Sequence, residues 1–236
     1  MKISVCMATY NGEQYIEAQI KSILVQLQEN DELIISDDKS NDRTLEIISN
    51  LNDHRINVFI NEGEKGYTKN FENALVNAKG DIIFLADQDD VWTSCKVEII
   101  LKGLEESDMI ISNATIVSSD LKIINSSHFD LYRVKNGFLH NFIKTRYIGA
   151  CMAFRKDVLI KALPFPKYQK YCAHDYWITL VGEIFFKVAL EDTPLLLYRR
   201  HGNNASTGGT VSSNSFLKKV FTRVYCISHI VRILFK

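Results

Sequence analysis

The feature that most constrains the fold is an alternation of strand and helix patterns over roughly the first hundred residues. Short runs rich in apolar and β-branched residues predict strands over residues 3–7, 33–36, 56–60 and 82–86. Apolar residues at helical spacing predict helices over residues 15–27, 41–51 and 71–78, with Asn41 as the cap of the second. Because strands that alternate with helices form βαβ units, we predict an α/β fold. Its central sheet is expected to be mostly parallel, with helices on both faces.

The pattern is looser after about residue 105. Further strands are predicted over residues 109–117, 122–125, 149–155 and 188–198, and helices over residues 138–143 and 176–186. No linker and no internal repeat divides the chain. We therefore predict a single domain over residues 1–210, made of two halves (1–105 and 106–210), and a tail over residues 211–236.

The net charge of zero conceals an uneven distribution of charge along the chain. Residues 216–236 hold five basic residues and no acidic ones, so the remainder of the chain has a net charge of −5. Proteins that bind nucleic acids use a basic face to neutralise phosphates. A chain with an acidic body is therefore not expected to have a nucleic-acid partner.

The cysteines indicate a reducing compartment. There are five of them, an odd number, and none forms a CxxC pair, so neither a disulfide framework nor a structural zinc site is indicated. The chain shows no signal-peptide pattern and no apolar run long enough to span a bilayer. We therefore expect a cytoplasmic protein.

The tail has the pattern of a basic amphipathic helix. Its apolar residues recur at steps of three and four, namely Leu217, Val220, Phe221, Val224, Ile227, Val231 and Leu234. Lys218, Arg232 and Lys236 fall on the other side. Such a helix is predicted to lie on an anionic membrane surface. The alternative is a helix that packs this apolar stripe on the body or on a second subunit, which leaves a homo-oligomer open.

Polar clusters follow three of the predicted strands at their carboxyl ends. They are the segments 8–11 (ATYN), 37–38 (DD) and 87–90 (DQDD). Ligands of open parallel sheets bind beyond the carboxyl ends of the strands, near a switch in strand order. We therefore expect all three clusters to face one crevice.

The two acidic clusters each have a chemical interpretation and a structural one. Asp87 and Asp89 would repel each other unless a cation lies between them, and oxygen ligands shared with a diphosphate suit Mg²⁺ or Mn²⁺. The alternative is an acidic loop or a helix cap. Asp37 and Asp38 could recognise a nucleotide base or ribose, because a carboxylate accepts from the imide N–H of uracil or thymine. Their alternative is a turn that leads into the second helix.

Three segments resemble the family-2 glycosyltransferases of the GT-A fold, in both order and spacing. They are SVCMATYNG (4–12), ISDDKSND (35–42) and FLADQDDVW (84–92). The resemblance covers residues 1–95 and makes residues 1–105 the half that binds the nucleotide-sugar donor. Lys39 departs from the family pattern, which often has glycine after the double aspartate. We interpret Lys39 as a loop variation that leaves the donor site intact.

The resemblance implies roles for the residues of these segments. The uridine or thymidine part of a UDP- or dTDP-sugar would bind Ala8, Thr9, Tyr10, Asn11, Asp37 and Asp38. The diphosphate and a Mg²⁺ or Mn²⁺ ion would bind Asp87, Gln88 and Asp89. Lys69 falls where the family places a basic residue near the nucleotide, although a solvated helix face explains it equally well.

Two segments of the acceptor half (106–210) also resemble the family. In HDYW (174–177), Asp175 takes the position of a catalytic carboxylate, with a helix cap as the alternative. The acceptor hydroxyl must lose a proton as it attacks, and a carboxylate within hydrogen-bond reach removes it. In YRRHGNNAS (198–206), a mobile loop is expected after the last strand. Arg199 and Arg200 would reach the diphosphate, and His201 would reach the metal.

These observations predict an inverting glycosyltransferase. It would move a hexose or deoxyhexose from a UDP- or dTDP-sugar to a hydroxyl of a glycan or lipid-linked acceptor. A similarity to bacterial rhamnosyltransferases and related hexosyltransferases indicates surface polysaccharide synthesis, at the inner face of the cell membrane. The alternatives are a sugar-1-phosphate nucleotidyltransferase, which normally has a glycine-rich phosphate loop after its first strand, and a non-catalytic binding protein. The chain also lacks the GxGxxG motif, which argues against a dehydrogenase.

Overall fold

A single mixed sheet organises the protein. The structure is a computed structural model, and it describes residues 1–202 and 216–235. The strands are β1 Ile3–Thr9, β2 Glu32–Asp37, β3 Ile56–Ile60, β4 Ile82–Asp87, β5 Val91–Trp92, β6 Met109–Ser118, β7 Ile123–Asn125, β8 Met152–Arg155 and β9 Val188–Arg200. Successive residues of β1, β2 and β4 are buried. Because successive side chains of a strand point to opposite faces, both faces of the sheet are covered there.

The helices of the described residues connect these strands and cover the sheet. They are α1 Ile16–Leu24, α2 Thr44–Asn50, α3 Tyr67–Val76, α4 Lys96–Gly103, α5 His128–Tyr132, α6 Phe138–Lys144, α7 Lys156–Ala162, α8 His174–Phe185 and α9 Phe216–Leu234. A 3₁₀ turn over Gly149–Cys151 precedes β8. No helix within the described ranges combines the length and the apolar character that crossing a bilayer requires.

The strand order is β3-β2-β1-β4-β8-β6-β9-β5, with β7 added beside β6. The strands from β3 to β4 are parallel, and β6 also pairs in parallel with β9. The other pairings are antiparallel, so the sheet is parallel in the first half of the chain and mixed in the second. The chain runs outwards from β1 to β3 and then returns to β4 on the opposite side of β1. The switch in strand order therefore lies between β1 and β4.

The register brings the three polar clusters to one edge of the sheet, as the sequence predicts. Thr9 at the end of β1 lies opposite Asp37 at the end of β2. Ala8 lies opposite Asp87 at the end of β4. The clusters therefore border the crevice beside the switch point.

Several predicted boundaries are wrong. Helix α2 begins at Thr44 rather than near Asn41, and the side chain of Asp42 accepts hydrogen bonds from both the N–H and the hydroxyl of Thr44. The strand expected over residues 149–155 begins as a 3₁₀ turn. Arg199 and Arg200 belong to β9 rather than to a loop after it. The rest of that expected loop, from residue 203 onwards, lies outside the described residues.

Helix α9 packs on the body, but not through the stripe predicted from its sequence. Cys226 and Ile230 are buried, and the hydroxyl of Tyr225 accepts from the N–H of Tyr168 at 2.9 Å. Of the predicted stripe, Ile227 is half-buried and the other members are exposed, with Leu217 at 79% and Val224 at 62%. The alternative in which the predicted stripe itself covers the body is therefore wrong.

Candidate active site

The end of β2 is held to the end of β1 by the first carboxylate of the double aspartate. Asp37 is buried, and its oxygens accept from the hydroxyl of Thr9 at 2.8 Å and from the N–H and hydroxyl of Ser40 at 2.8 and 2.6 Å. Lys39, which lies between Asp37 and Ser40 in the chain, has a φ of 65°, in the left-handed region that favours glycine. The turn therefore keeps the conformation that the family's glycine favours.

The second carboxylate, Asp38, orders the segment that leads into α3. It accepts from the side-chain amide of Asn61 and from the N–H of Gly66, each at 2.8 Å. The amide of Asn70 on α3 donates to the carbonyl of Thr9 at 2.9 Å. Asp38 thus holds the wall of the crevice, and its remaining lone pairs can still accept from a ligand.

The loop after β1 is joined to the acidic turn after β4 by Gln88. The N–H of Tyr10 donates to the Gln88 side chain at 2.9 Å, and the Gln88 amide donates back to the carbonyl of Tyr10 at 3.0 Å. A Cβ on Gly12 would come within 2.4 Å of the Gln88 side-chain oxygen, so only glycine fits there without a shift. Asn11 accepts from the N–H of Asn41. Tyr10 itself is exposed and available to a ligand.

Asp87 and Asp89 carry mutually repelling charges at the mouth of the crevice. Both are half-buried. Burial, followed by the charges of Asp89 and Asp175, raises the pKa of Asp87 to about 7. Asp90, which follows, is fully buried, and burial together with the two neighbouring carboxylates raises its pKa as well. Carboxylates in this arrangement favour a cation or a proton between them.

Strand β9 and the residue directly after it bring two predicted residues to this turn. The N–H of Arg199 donates to Asp90 at 2.8 Å, and its guanidinium donates to the carbonyl of Asp89 at 2.6 Å. The ring nitrogen Nε2 of His201 lies 2.8 Å from a carboxylate oxygen of Asp89. Both the His201 ring and the Arg199 guanidinium pack on Tyr15. Arg199 is buried, so it braces the acidic turn from the protein side.

Asp175 lies in the first turn of α8 and is half-buried. One of its oxygens accepts from the N–H of Tyr176 at 2.7 Å. Its charge contributes to the raised pKa of Asp87, so the two carboxylates share one region of the crevice. His174, beside it, is buried and stacks on Phe71 with ring centroids 4.1 Å apart.

Two predicted site residues have other contacts. The ammonium group of Lys69 lies 2.6 Å from a carboxylate oxygen of Glu72, one turn further along α3. The two side chains are only 21% and 14% exposed, so the pair differs from the solvated helix face considered for Lys69. The guanidinium of Arg200 lies 5.9 Å from the ring centroid of Tyr198.

Sequence reasoning missed three residues that hold the site together. Gln19 on α1 is buried and donates to the carbonyl of Asp87 at 2.8 Å. Asn70 holds the carbonyl of Thr9, as described above. Lys96 on α4 is buried and donates to the carbonyl of Ala150 at 2.9 Å, and burial lowers its pKa to about 8. Of the three, Gln19 could have been identified from the sequence, because it is a polar residue on the apolar face of a predicted helix, three residues after Ile16.

The acidic turn fits a divalent cation that shares its ligands with a diphosphate. No group of three or more His, Cys, Asp and Glu side chains among residues 1–202 and 216–235 is placed to hold a metal alone. Mg²⁺ and Mn²⁺ need only one or two carboxylates when phosphate oxygens and water supply the other ligands. Asp87 and Asp89 form such a pair, and their repulsion is relieved by a positive charge.

Comparison with known proteins decides the family. Residues 4–163 match the family described as glycosyl transferase family 2. The chain belongs to this family. The protein is therefore a glycosyltransferase, and neither the nucleotidyltransferase nor the non-catalytic alternative finds support.

Relatives and solved structures agree with this assignment. An Escherichia coli relative, UDP-Glc:alpha-D-GlcNAc-diphosphoundecaprenol beta-1,3-glucosyltransferase WfgD, is 30% identical over 180 residues, covering 75% of this chain and 68% of WfgD. The dTDP-rhamnosyl transferase RfbG of Shigella flexneri is 28% identical over 234 residues, covering 91% of this chain and 78% of RfbG. TarS of S. aureus in complex with UDP-GlcNAc has a TM-score of 0.75 at 21% identity, covering 99% of this chain and 70% of TarS. The predicted GT-A-like fold is confirmed.

Proposed function

We propose that this glycosyltransferase moves a hexose or deoxyhexose from a UDP- or dTDP-sugar to a hydroxyl of a lipid-linked or glycan acceptor. Support comes from the relatives, since WfgD is named for UDP-Glc and a diphosphoundecaprenol acceptor, and RfbG for dTDP-rhamnose transfer. Both nucleotides present the same imide N–H and diphosphate. The donor half (1–105) and the acceptor half (106–210) would each supply one wall of the crevice.

The donor is proposed to bind along the carboxyl ends of β1, β2 and β4. Asp38 would accept from the imide N–H of the base, next to Ala8, Thr9 and Asn11. Asp37 would act by fixing the turn, because its oxygens already accept from Thr9 and Ser40. The exposed ring of Tyr10 offers a flat apolar surface beside this position.

The diphosphate is proposed to lie against the acidic turn. Asp87 and Asp89 would hold a divalent cation, which would neutralise the charge that develops on the departing diphosphate. His201 would join this site by exchanging its bond to Asp89 for the metal or the diphosphate. Gln88, Arg200 and Lys69 would line the phosphate path, Lys69 only after leaving Glu72. Arg199 would keep the turn in place.

Asp175 is proposed as the general base. It would take the proton of the acceptor hydroxyl as that oxygen forms a bond to the anomeric carbon, while the bond from this carbon to the diphosphate oxygen breaks. Attack on the face opposite the leaving group inverts the anomeric configuration. The nucleoside diphosphate leaves with the electron pair of the broken bond, and the proton stays on Asp175 until solvent removes it.

One observation carries the proposal more than the others. Carboxylates from separate parts of the chain, Asp87 and Asp89 after β4 and Asp175 on α8, border one crevice, where the pKa of Asp87 is raised by burial and then by the charges of Asp89 and Asp175. A single-displacement transferase needs such an arrangement, with a cation-binding pair near the leaving group and a separate carboxylate near the acceptor.

The same proposal places the enzyme in the cytoplasm, on the inner face of the cell membrane. A lipid-linked acceptor would be reached there, and the basic helix α9 is a means of attachment. Acceptors of this kind serve the synthesis of surface polysaccharides.

A donor screen tests the proposed function. UDP-, dTDP- and GDP-sugars are incubated with the protein and Mn²⁺ or Mg²⁺, and release of the nucleoside diphosphate is measured. We expect release from a UDP- or dTDP-sugar, faster when a polyprenyl-diphosphate-linked sugar is added. Release from a GDP-sugar alone, or from none of them, would contradict the proposal.

A further inference from the structure

Helix α9 has two apolar faces, and only one of them is used by the fold. Cys226 and Ile230 are buried against the body, and the ring of Tyr225 packs against Tyr168 and Tyr171 of the loop before α8. The opposite face carries the predicted stripe, in which Leu217 and Val224 are the most exposed aliphatic residues. A helix that docks by one face and exposes aliphatic side chains on the other is suited to a second, apolar environment.

A second exposed apolar patch lies beside this face. Helix α6 exposes Leu139 at 72% and Ile143 at 65%, one turn apart and therefore on one side of the helix. The guanidinium of Arg223 on α9 donates to the carbonyl of Ile143. The two helices are thus neighbours, and their exposed aliphatic residues belong to one region of the surface.

The part of the chain that contains these helices is basic. No acidic residue occurs between residues 131 and 156 or between residues 193 and 236. Residues 131–236 hold 17 basic and five acidic residues, a net charge of +12, whereas residues 1–130 hold 11 basic and 23 acidic residues. Lys144 and Lys218 are exposed at the ends of the two helices, close to the aliphatic patches. Residues 1–130 are therefore an acidic half of the chain and residues 131–236 a basic half, and the exposed apolar face lies in the basic half.

This combination favours an anionic lipid surface over a second copy of the chain. In a two-fold dimer the same patch is presented by both partners. Contact through α6 and α9 would then bring together two basic patches with no acidic residue in either helix to pair with them. An anionic bilayer complements the charge and receives the aliphatic side chains.

We propose that α6 and α9 form one composite membrane-docking surface, made of Leu139 and Ile143 together with the exposed stripe of α9, and that it binds anionic bilayers. The hydroxyl of Tyr176, next to the proposed base Asp175, donates to the carbonyl of Phe142 on α6 at 2.8 Å. Docking through this surface therefore fixes the acceptor wall of the crevice relative to the bilayer. The proposal rests on the proposed function only in taking the acceptor to be lipid-linked.

Co-sedimentation of the full chain with vesicles tests this surface. Vesicles of phosphatidylcholine are compared with vesicles that also contain phosphatidylglycerol, for the wild type, Val224→Glu and Ile143→Glu. The matched control is Val25→Glu, which makes the same change at a valine that is 81% exposed in the acidic half. We expect binding to the anionic vesicles only, weakened by salt, and reduced about tenfold by each of the first two variants but not by Val25→Glu.

The outcomes separate this proposal from its competitors and from the proposed function. Wild-type binding by Ile143→Glu would remove α6 from the surface, and wild-type binding by both variants would overturn the proposal. A second result would also overturn it: the wild type is a dimer that does not bind vesicles, and Val224→Glu is a monomer. Analytical ultracentrifugation measures the oligomeric state of both proteins. Donor cleavage, measured without vesicles, should be equal in all four proteins. Donor cleavage without vesicle binding contradicts only the surface, and vesicle binding without donor cleavage contradicts only the function.

Discussion

The carboxylates of the crevice differ in what already contacts them. Asp37 accepts three hydrogen bonds from Thr9 and Ser40 and is buried. Asp87 and Asp175 are half-buried, and the pKa of Asp87 is raised by burial and then by the charges of Asp89 and Asp175. The first type of contact is typical of a residue that shapes a loop, and the second of residues that meet a ligand or a cation.

For Asp175, the substitution Asp175→Asn should lower kcat by a factor on the order of a hundred or more while the donor Kd is unchanged, because only proton removal is lost. The measurements are steady-state transfer and donor titration. Asp157→Asn is the matched control, since Asp157 is also an aspartate in the first turn of a helix, but an exposed one on α7. A loss of donor affinity with kcat retained would make Asp175 a binding residue instead.

For Asp37, the substitution Asp37→Asn should lower the stability of the fold by about 1–3 kcal/mol, because a buried acceptor of three hydrogen bonds is replaced by a group that can satisfy fewer of them. Thermal unfolding measures this, with the exposed Asp120→Asn as the control. An unchanged Tm together with a lost affinity for UDP would show instead that Asp37 contacts the base directly.

Part of this site could be predicted from sequence because it is local. Asp87 and Asp89 follow an apolar run that can only be a buried strand, so their place at a strand end required no tertiary information. The bracing role of Arg199 could not be predicted, because it depends on the antiparallel pairing of β9 with β5, two strands that are distant in the chain. The pairing of Lys69 with Glu72 is local, and the spacing of three residues was a signal for it.

At the scale of elements, the same distinction holds. The helices and strands of the first half have strong periodicity and were predicted, apart from α4 and the two-residue strand β5. The five-residue helix α5 is too short for a periodic pattern to identify, and the seven-residue helix α7 was also not predicted. Helix α9 was predicted, but its buried face was not. Apolar residues occur on nearly every side of this helix, so the sequence does not single out the face that holds Cys226 and Ile230.

The two faces of α9 give a direct prediction. Ile230→Ala should lower the free energy of unfolding by about 2 kcal/mol, because it leaves a cavity under a docked helix. Val224→Ala should change it by less than about 0.5 kcal/mol, because that side chain is already in solvent. Chemical denaturation of the two variants measures both values. Equal losses would mean that the exposed stripe is also buried in solution.

At the scale of the whole molecule, chemistry and charge are divided in the same way. The acidic first half contains the strand ends that are proposed to bind the nucleotide, where a cation would be needed for a diphosphate to approach. The basic second half contains Asp175, α6 and α9. Repulsion between an anionic bilayer and the acidic half would turn the basic half towards the lipid, so the charge of the whole chain supports the orientation that a lipid-linked acceptor requires.

The central claim is that a divalent cation on Asp87 and Asp89 completes the donor site. Calorimetric titration of UDP and of dTDP, in Mn²⁺ and in excess chelator, tests it most directly when wild type and Asp89→Asn are compared. We expect the wild type to bind in Mn²⁺ and to lose at least about tenfold in affinity in chelator, whereas Asp89→Asn binds equally weakly in both. Equal wild-type affinity with and without the metal, or an Asp89→Asn variant that binds as the wild type does, would contradict the claim.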